Sequence, residues 1–475
     1  MLNTFVIAYL VASIAIGLLA TLRVKNSRDF VSAGRSLPLS VVTATMFATW
    51  FGSESILGAP SYFLEEGLGG IVADPFGAAF CLIFAGMFFA RALYRRNLLT
   101  IGDFFRERYG REAEVITSVA IMLSYLGWVS AQMIALGVIF SSLSGGSISH
   151  DEGILIGSAI VIFYTMFGGM WSVAITSFVQ MIIIIVALVL ITYVVAGDAG
   201  GVMVVVDHAN AAGKFDNFWP EMSTASWLAW IGAFVTLALG SIPQQDVFQR
   251  MNTAKNEHIA QYGAIFGGVG YLLFCMVPLF LTYAAVVIDP DMVARVMAED
   301  AQQVLPTFIQ NDLPLIMQVL FFGALLSAIM STASGTLLAP STVFTENLLK
   351  PLLPAQTDKQ FLFMLRAVVL VFGAFISWYA MQSDASIFEM VEDAYKVTLV
   401  AVFVPLTAGI YWSRANRAGA LTAMAAGIAV WLGCEAFAVD SIWPPQLAGL
   451  VASMVGMWFG TLFLARLLPS PEGAR

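Results

Sequence analysis

Runs of about 20 consecutive apolar residues, each long enough to cross a bilayer as a helix, recur along the whole sequence. They constrain the fold strongly, because a backbone in lipid must satisfy its hydrogen bonds within helices or closed barrels. Only 11% of the 475 residues are charged, whereas soluble domains carry about 25%. The sequence therefore predicts an all-α integral membrane protein and excludes a disordered chain or an ordinary soluble enzyme.

The apolar runs separate into about 13 candidate spans. The first begins at Met1 without a basic stretch or an Ala-x-Ala cleavage site, which favours a membrane span over a cleaved signal peptide. No polar stretch is long enough for a separate soluble domain, so we expect a single transmembrane domain over residues 1–475. The spans cover residues 2–22, 38–63, 68–92, 113–143, 151–168, 172–196, 224–249, 259–287, 312–346, 360–382, 388–412, 418–438 and 442–467.

Basic residues mark every second connection between the spans, and the intervening connections are acidic or neutral. Because Lys and Arg accumulate on the cytoplasmic side, this alternation predicts a multi-pass protein of the plasma (inner) membrane with its N-terminus outside and its C-terminus inside. The two longest outer connections, 197–223 and 288–312, are expected to hold short surface helices or a lid, or to be simple connectors. The charges include Arg23, Lys25, Arg28, Arg35, Arg95, Arg96, Arg106, Arg108, Arg111, Arg250, Lys255, Lys350, Lys359, Arg414, Arg417 and Arg466 on one side, and Glu65, Glu66, Asp151, Glu152, Asp384 and Asp440 on the other.

Span 2 is unusually rich in polar and helix-breaking residues. Its segment 43–60 reads TATMFATWFGSESILGAP, with Glu54 near the middle and with Gly52, Gly58 and Pro60 interrupting the helix. Freed backbone carbonyls at membrane depth are tolerated only where they line a cavity, so this segment predicts a binding site. The alternative is a kinked helix whose hydroxyl groups bond back to its own carbonyls.

Span 9 carries a line of small hydroxyl residues. Ser327, Ser331 and Ser334 follow helical spacing, and Thr332 stands beside Ser331. Such residues commonly act as helix-packing contacts. They can equally supply oxygen ligands to a hard cation such as Na⁺, although packing is the more ordinary interpretation of the residues alone.

Spans 2 and 7 are the two spans broken by Gly and Pro, the second within segment 239–250, LGSIPQQDVFQR. They lie five spans apart, and an odd offset means that they cross the membrane in opposite directions. This arrangement is typical of an inverted repeat in which the first helix of each half is discontinuous. It predicts a five-plus-five core of spans 2–6 (residues 38–196) and spans 7–11 (residues 224–412), with residues 1–22 and 418–467 peripheral.

Five segments in order carry a resemblance to a known family: 32–37, 45–52 (TMFATWFG), 167–180 (FGGMWSVAITSFVQ), 239–250 and 324–335 (ALLSAIMSTASG). With these segments, the chain resembles the sodium/solute symporter family of LeuT-type fold, and within it most closely the high-affinity choline transporter branch. The resemblance implies a secondary active transporter that carries a small polar organic solute into the cell with Na⁺ as coupling ion, by alternating access.

The resemblance also implies a Na⁺ site between the first and eighth core helices. Its ligands would be the backbone carbonyls of Ala48, Phe51 and Ala328 and the hydroxyls of Ser331 and Thr332. Ser177 stands where most relatives have an Asp that is proposed to lie on the inward exit route of Na⁺.

For the solute, Trp50 and Trp128 match two aromatic positions that surround a quaternary ammonium in the choline transporters, a cation–π arrangement. Gln244 and Ala78 stand where those transporters have Trp and Tyr, so half of that cage is absent. The resemblance therefore implies another small polar solute, such as an organic cation or a zwitterion. Further expected contacts are Glu54, Ser55, Asp74 and Gln245.

Two other functions stay open at this point: a proton-coupled solute transporter and a non-transporting membrane sensor. Glu54, Asp74, Asp393 and Lys396 are the residues that could carry a proton when buried. Lys396 also has the spacing for a helical ion pair with Asp393 or Glu392. An enzyme or an ATP-driven pump is not expected, because catalytic motifs and a Walker loop are absent, and so is a basic footprint for nucleic acid.

Overall fold

The structure is a computed structural model that describes residues 26–383, 385–438 and 441–465, together with positions 8, 9, 11, 12, 15–17, 19 and 24. These residues are helical or irregular, and an isolated bridge pairs Leu37 with Ala254. Nine of their helical segments are long and apolar enough to span a membrane, or ten when one bent pair is counted. The all-α membrane fold is thus confirmed. The count of 13 stays a prediction, because most of span 1 lies outside the described residues, as do Arg23, Lys25, Asp384, Asp440 and Arg466.

The first half of the described chain contains helices α1 to α9. Short 3₁₀ and π turns join several of them, at Ala33–Arg35, Glu54–Gly58, Gly67–Ile71, Val72–Gly77 and Ala85–Phe89. The helices are α1 (Ser27–Ser32), α2 (Leu39–Trp50), α3 (Ala59–Glu66), α4 (Ala78–Phe84), α5 (Ala90–Arg96), α6 (Ile101–Tyr109), α7 (Arg111–Leu143), α8 (His150–Asp198) and α9 (Val202–Ala211).

The second half contains helices α10 to α20, with similar turns at Ala301–Gln303, Phe344–Leu349, Lys350–Leu352 and Leu399–Phe403. Short helices α9, α13 and α14 occupy the two long connections 197–223 and 288–312; α9 is largely exposed and half of α13 is exposed, as expected of surface helices, whereas most of α14 is buried. The helices are α10 (Thr224–Gly240), α11 (Gln245–Thr253), α12 (Glu257–Ile288), α13 (Pro290–Met297), α14 (Val304–Asp312), α15 (Leu315–Val343), α16 (Asp358–Met381), α17 (Ile387–Thr398), α18 (Val404–Tyr411), α19 (Arg417–Phe437) and α20 (Pro445–Phe463).

Helix α8 is interrupted by a backbone reversal at Gly169. This glycine has φ 52° and ψ −154°, which is not helical, and a side chain there would collide with the carbonyl of Phe30. At 1.5 Å per residue, an unbroken helix of this length would measure roughly 70 Å, more than twice the thickness of the hydrocarbon core. Gly169 therefore falls where the sequence places the boundary between spans 5 and 6.

Both spans that the sequence predicts to be broken are broken. Helix α2 ends at Trp50, Phe51 takes φ −87° and ψ 78°, and helical structure resumes at Glu54. Helix α10 ends at Gly240 and α11 begins at Gln245, with a bend of 44° between them. Helix α2 packs against α8, α12 and α15, so its broken end lies in the centre of the protein.

Contacts between distant connections agree with the predicted alternation of the two faces. On the basic face, Arg95 pairs with Glu257 at 2.5 Å, and Arg417 pairs with Glu112 at 2.6 Å. On the opposite face, Lys214 donates to the carbonyl of Leu64 at 2.5 Å. Connections of one predicted side thus contact each other, while the assignment of the basic face to the cytoplasm stays a prediction.

Candidate functional site

The broken end of α2 faces the middle of α15. Beyond Trp50 the chain leaves the helical path, so carbonyl groups of the last turn lack their usual partners. The five expected Na⁺ ligands are buried, and the Thr332 hydroxyl donates a long hydrogen bond of 3.4 Å to the carbonyl of Ala48. Two of the five expected ligands are thereby in direct contact across the two helices. The complete set is Ala48, Phe51, Ala328, Ser331 and Thr332.

The hydroxyl line of α15 divides between two neighbours. The Ser331 hydroxyl lies 2.7 Å from the Ser177 hydroxyl on α8. Ser327, one turn earlier, instead donates to the carbonyl of Gly323 and contacts the hydroxyl of Tyr9. Ser331 therefore faces Ser177, the position of the family Asp, whereas Ser327 faces Tyr9.

Three buried aromatic rings pack beside the break in α2. The ring centroids of Trp50 and Trp128 are 5.3 Å apart, and Tyr395 lies 6.0 Å from Trp50 and 5.6 Å from Trp128. The indole nitrogen of Trp50 and the hydroxyl of Tyr395 are buried without a hydrogen-bond partner. The sequence missed Tyr395, although an aromatic residue next to Lys396 in an apolar span was an available signal.

Glu54 lies against this aromatic cluster, and its exposed fraction is 2%. Its Oε1 accepts from the indole nitrogen of Trp128 at 3.2 Å, and its Oε2 accepts from the side-chain amide of Gln132 at 2.8 Å. A weaker bond of 3.4 Å comes from the Ser53 hydroxyl. These donors are neutral, so an ionised Glu54 would be a buried charge without compensation from them. Gln132 was not expected from the sequence.

Asp74 joins the same cluster through Tyr271 of α12. The Tyr271 hydroxyl donates to Oδ1 of Asp74 and lies 2.9 Å from the Ser55 hydroxyl. Oδ2 of Asp74 is buried and has no hydrogen-bond partner. The structure therefore places Trp50, Glu54, Ser55, Asp74 and Trp128 near one another, with Tyr271 as a bridge that the sequence did not indicate.

The adjacent glutamines Gln244 and Gln245 separate. The Gln244 amide donates to Ser124 at 2.7 Å and to Thr398 at 3.3 Å, one turn from Tyr395. Gln245 instead accepts from the backbone N–H of Ile101 at 2.9 Å and donates to the carbonyl of Leu99 at 3.4 Å. Gln244 thus borders the aromatic cluster, and Gln245 attaches α11 to the start of α6.

Arg250 corrects the sequence-based assignment of charges. The sequence counts it among the charges of a surface connection, but the structure buries it fully because α11 packs against α2 and α15. Its Nη1 lies 3.9 Å from the Asp246 carboxylate, and Tyr125 donates to the same carboxylate at 2.5 Å.

The ion pair predicted between Lys396 and Asp393 is confirmed, with a distance of 2.6 Å between the two charged groups.

Comparisons with known proteins show the family to which the chain belongs. Residues 30–427 match the profile described as "Sodium:solute symporter family". The chain is 26% identical to the high-affinity choline transporter 1 of Caenorhabditis elegans, over 90% of this chain and 76% of that protein. It is also 26% identical to the sodium/pantothenate symporter of Escherichia coli (strain K12), over 96% of each protein.

The fold is similar to the substrate-bound, outward-open structure of a Na⁺-coupled sialic acid symporter. The TM-score is 0.84 at 20% identity, with 99% of this chain and 98% of that chain covered. The fold is therefore of LeuT type. By its sequence match over most of its length, the chain belongs to the sodium:solute symporter family and is a Na⁺-coupled membrane transporter of a small solute.

Proposed function

We propose that the protein takes up a small organic cation or zwitterion together with Na⁺, and that both bind at the break in α2. The observation that carries the proposal is a pair of buried carboxylates, Glu54 and Asp74, whose hydrogen-bond donors are neutral. A positively charged group on the solute would compensate them. Aromatic ring faces beside them add a favourable cation–π interaction.

Partnerless polar atoms at the same place support a solute with several polar groups. The Trp50 indole N–H can donate, Oδ2 of Asp74 can accept, and the Tyr395 hydroxyl can do either. Leaving such atoms unpaired in a buried site costs about 1–3 kcal/mol each, which a matching solute recovers. The proposed solute contacts are Trp50, Glu54, Ser55, Asp74, Trp128, Gln244 and Tyr395, whereas Gln245 holds α6.

For Na⁺, we assign the carbonyls of Ala48, Phe51 and Ala328 and the hydroxyls of Ser331 and Thr332. The support is the burial of all five residues and the contact of Thr332 with Ala48 where α2 leaves its helical path. Carbonyl and hydroxyl oxygens are the ligands that hard cations prefer. An ion at this position would hold α2 and α15 together and so prepare the solute site beside it.

Alternating access fits an inverted repeat of residues 38–196 and 224–412, with the N-terminus outside and the C-terminus in the cytoplasm. Support comes from the breaks in α2 and between α10 and α11, which fall in the first helix of each proposed half. In such repeats, discontinuous helices hold substrate and ion near the middle of the membrane.

Uptake into proteoliposomes tests the proposal. We expect uptake of a cationic or zwitterionic solute to require an inward Na⁺ gradient and to be strongly reduced, at a fixed Na⁺ concentration, in Ser331→Ala and Thr332→Ala. Ser341→Ala is the matched control, since this hydroxyl of α15 is also buried but bonds to its own helix at Leu337. Uptake that ignores Na⁺ and both variants, or that follows a pH gradient without Na⁺, would contradict Na⁺ coupling at this site.

A thermal-shift screen in Na⁺ buffer identifies the solute class. Ligands of the native state raise the unfolding midpoint according to RT ln(1 + [L]/Kd). We expect shifts with choline, betaine or amino acids and none with neutral sugars or simple carboxylates. A shift with sugars alone would exclude a charged solute.

A further inference from the structure

Three side-chain oxygens converge on the space beside Gly52, in the break that follows α2. A methyl group on Gly52 would lie 2.7 Å from Oε2 of Glu54, 2.8 Å from Oγ1 of Thr332 and 2.9 Å from Oε1 of Gln132. The three residues come from three different parts of the chain, and each is at most 2% exposed. A glycine is therefore needed here because its missing side chain leaves this space to the oxygens.

The chemistry of this oxygen cluster suits an alkali cation. A carboxylate, an amide carbonyl and a hydroxyl are hard ligands, which favour ions such as Na⁺ over soft metals. Glu54 supplies a negative charge, and its hydrogen-bond donors Trp128, Gln132 and Ser53 are neutral. A bound monovalent cation would provide the compensation that these donors lack.

The size of the space separates this cluster from the solute site. A methyl group here would lie within 3 Å of three oxygens, which is too close for carbon, so the space is too small for an organic group. The solute side of Glu54 is its other oxygen, Oε1, which faces Trp128. Glu54 thus lies between the aromatic cluster on one side and the oxygen cluster on the other.

We propose that Glu54, Gln132 and Thr332 form a second Na⁺ site beside Gly52. It shares only Thr332 with the Na⁺ site under the proposed function, and Ser331 belongs to that first site alone. The Thr332 hydroxyl can bridge two ions, and the Glu54 charge offsets one of their two positive charges, which leaves Asp74 to compensate the positive group of the solute. The second ion would also fix Glu54 next to the solute.

Binding of radioactive Na⁺ to the purified full chain in nanodiscs, measured up to saturation, tests this site. We expect two Na⁺ per wild-type chain. Glu54→Gln removes the charge with little change of shape, and Gly52→Ala fills the space; each should halve the capacity. Gly323→Ala on α15 is the matched glycine control, because a methyl group there meets no atom within 4 Å. Unfolding in Na⁺-free buffer verifies that the variants are folded.

Ser331→Ala distinguishes this proposal from the proposed function. If Ser331→Ala and Glu54→Gln each halve the capacity and their combination abolishes it, both sites stand. If the wild type binds one Na⁺ that Ser331→Ala removes, the first site stands and the second is refuted.

The Glu54→Gln variant separates the remaining outcomes. If Glu54→Gln weakens solute binding but the chain still binds two Na⁺, Glu54 contacts the solute only and the second site is also refuted. If Glu54→Gln halves the capacity and Ser331→Ala does not, the second site stands and the first assignment fails.

Discussion

The hydroxyl of Thr332 on α15 lies 3.4 Å from the carbonyl oxygen of Ala48 in the last turn of α2. At this length the hydrogen bond is weak, so a cation that binds both oxygens loses little energy by replacing it. The same hydroxyl faces the space beside Gly52. Thr332 is thus the side chain through which α2, α15 and both proposed ions meet.

Replacing the Thr332 hydroxyl should weaken Na⁺ binding. We expect Thr332→Ala to raise the Na⁺ concentration for half-maximal uptake at least tenfold, since a bond to a charged group contributes about 1.5–3 kcal/mol. Thr332→Ser keeps the oxygen and should stay close to wild type. Equal losses in both variants would indicate a packing role for the methyl group instead.

A carboxylate at position 177 should strengthen Na⁺ binding. The Ser177 hydroxyl is 2.7 Å from that of Ser331, so Ser177→Asp places a negative charge beside the first site. Even at an effective dielectric constant of 20, a charge pair at 4 Å gains about 4 kcal/mol before desolvation. We expect an increase in Na⁺ affinity of roughly tenfold, measured by the Na⁺-dependent shift of the unfolding midpoint. The neutral Ser177→Asn variant should show no such gain.

Solute binding should depend on both parts of the Trp128 side chain. Trp128→Phe keeps an aromatic face but loses the N–H that donates to Glu54 at 3.2 Å, and we expect a loss of about 1 kcal/mol, or roughly fivefold in affinity. Trp128→Ala also removes the ring and should lose more, since a desolvated cation–π contact contributes about 2 kcal/mol. Solute-induced thermal shifts measure both. Trp458→Phe, on a ring that is 54% exposed, should leave them unchanged.

Removing the Asn347 side chain should destabilise the basic face of the protein. Its amide donates to Asp103 and to Glu114, each at 2.9 Å, and Glu114 is only 1% exposed. Asn347→Ala leaves this buried carboxylate short of a donor, and we expect a loss of about 1–3 kcal/mol in unfolding free energy. Glu112→Gln, which breaks a surface pair whose Glu112 side chain is 53% exposed, should cost less than about 1 kcal/mol. Similar costs for the two variants would contradict the role of burial.

The interruptions of the helices could be predicted from the sequence because they follow from backbone chemistry. Gly52, the Gly240–Pro243 segment and the reversal at Gly169 all fall at or within a few residues of the predicted breaks and boundaries. The predicted helix pairing of α2 with α15 rested on the family resemblance, and the contact of Thr332 with Ala48 agrees with it.

Side-chain direction around the site was harder to predict. Gln244 has extended backbone angles, φ −71° and ψ 142°, just before α11 begins, so it and Gln245 point to different neighbours. Arg250 looked like a surface charge because its burial depends on how α11 packs against α2 and α15. Gln132, Tyr271 and Tyr395 come from distant spans, and a one-dimensional pattern does not show which of their helix faces meet.

The hydrogen bonds of Gln245 limit how α11 can move relative to α6. Its amide attaches the start of α11 to the backbone of Ile101 and Leu99, and so to α6. Any motion that carries α11 away from the centre must either break these two bonds or pull α6 along as a flap. This one glutamine side chain would therefore act as a latch. The strength of its two hydrogen bonds would affect the rate at which cargo is released more than the affinity with which cargo binds.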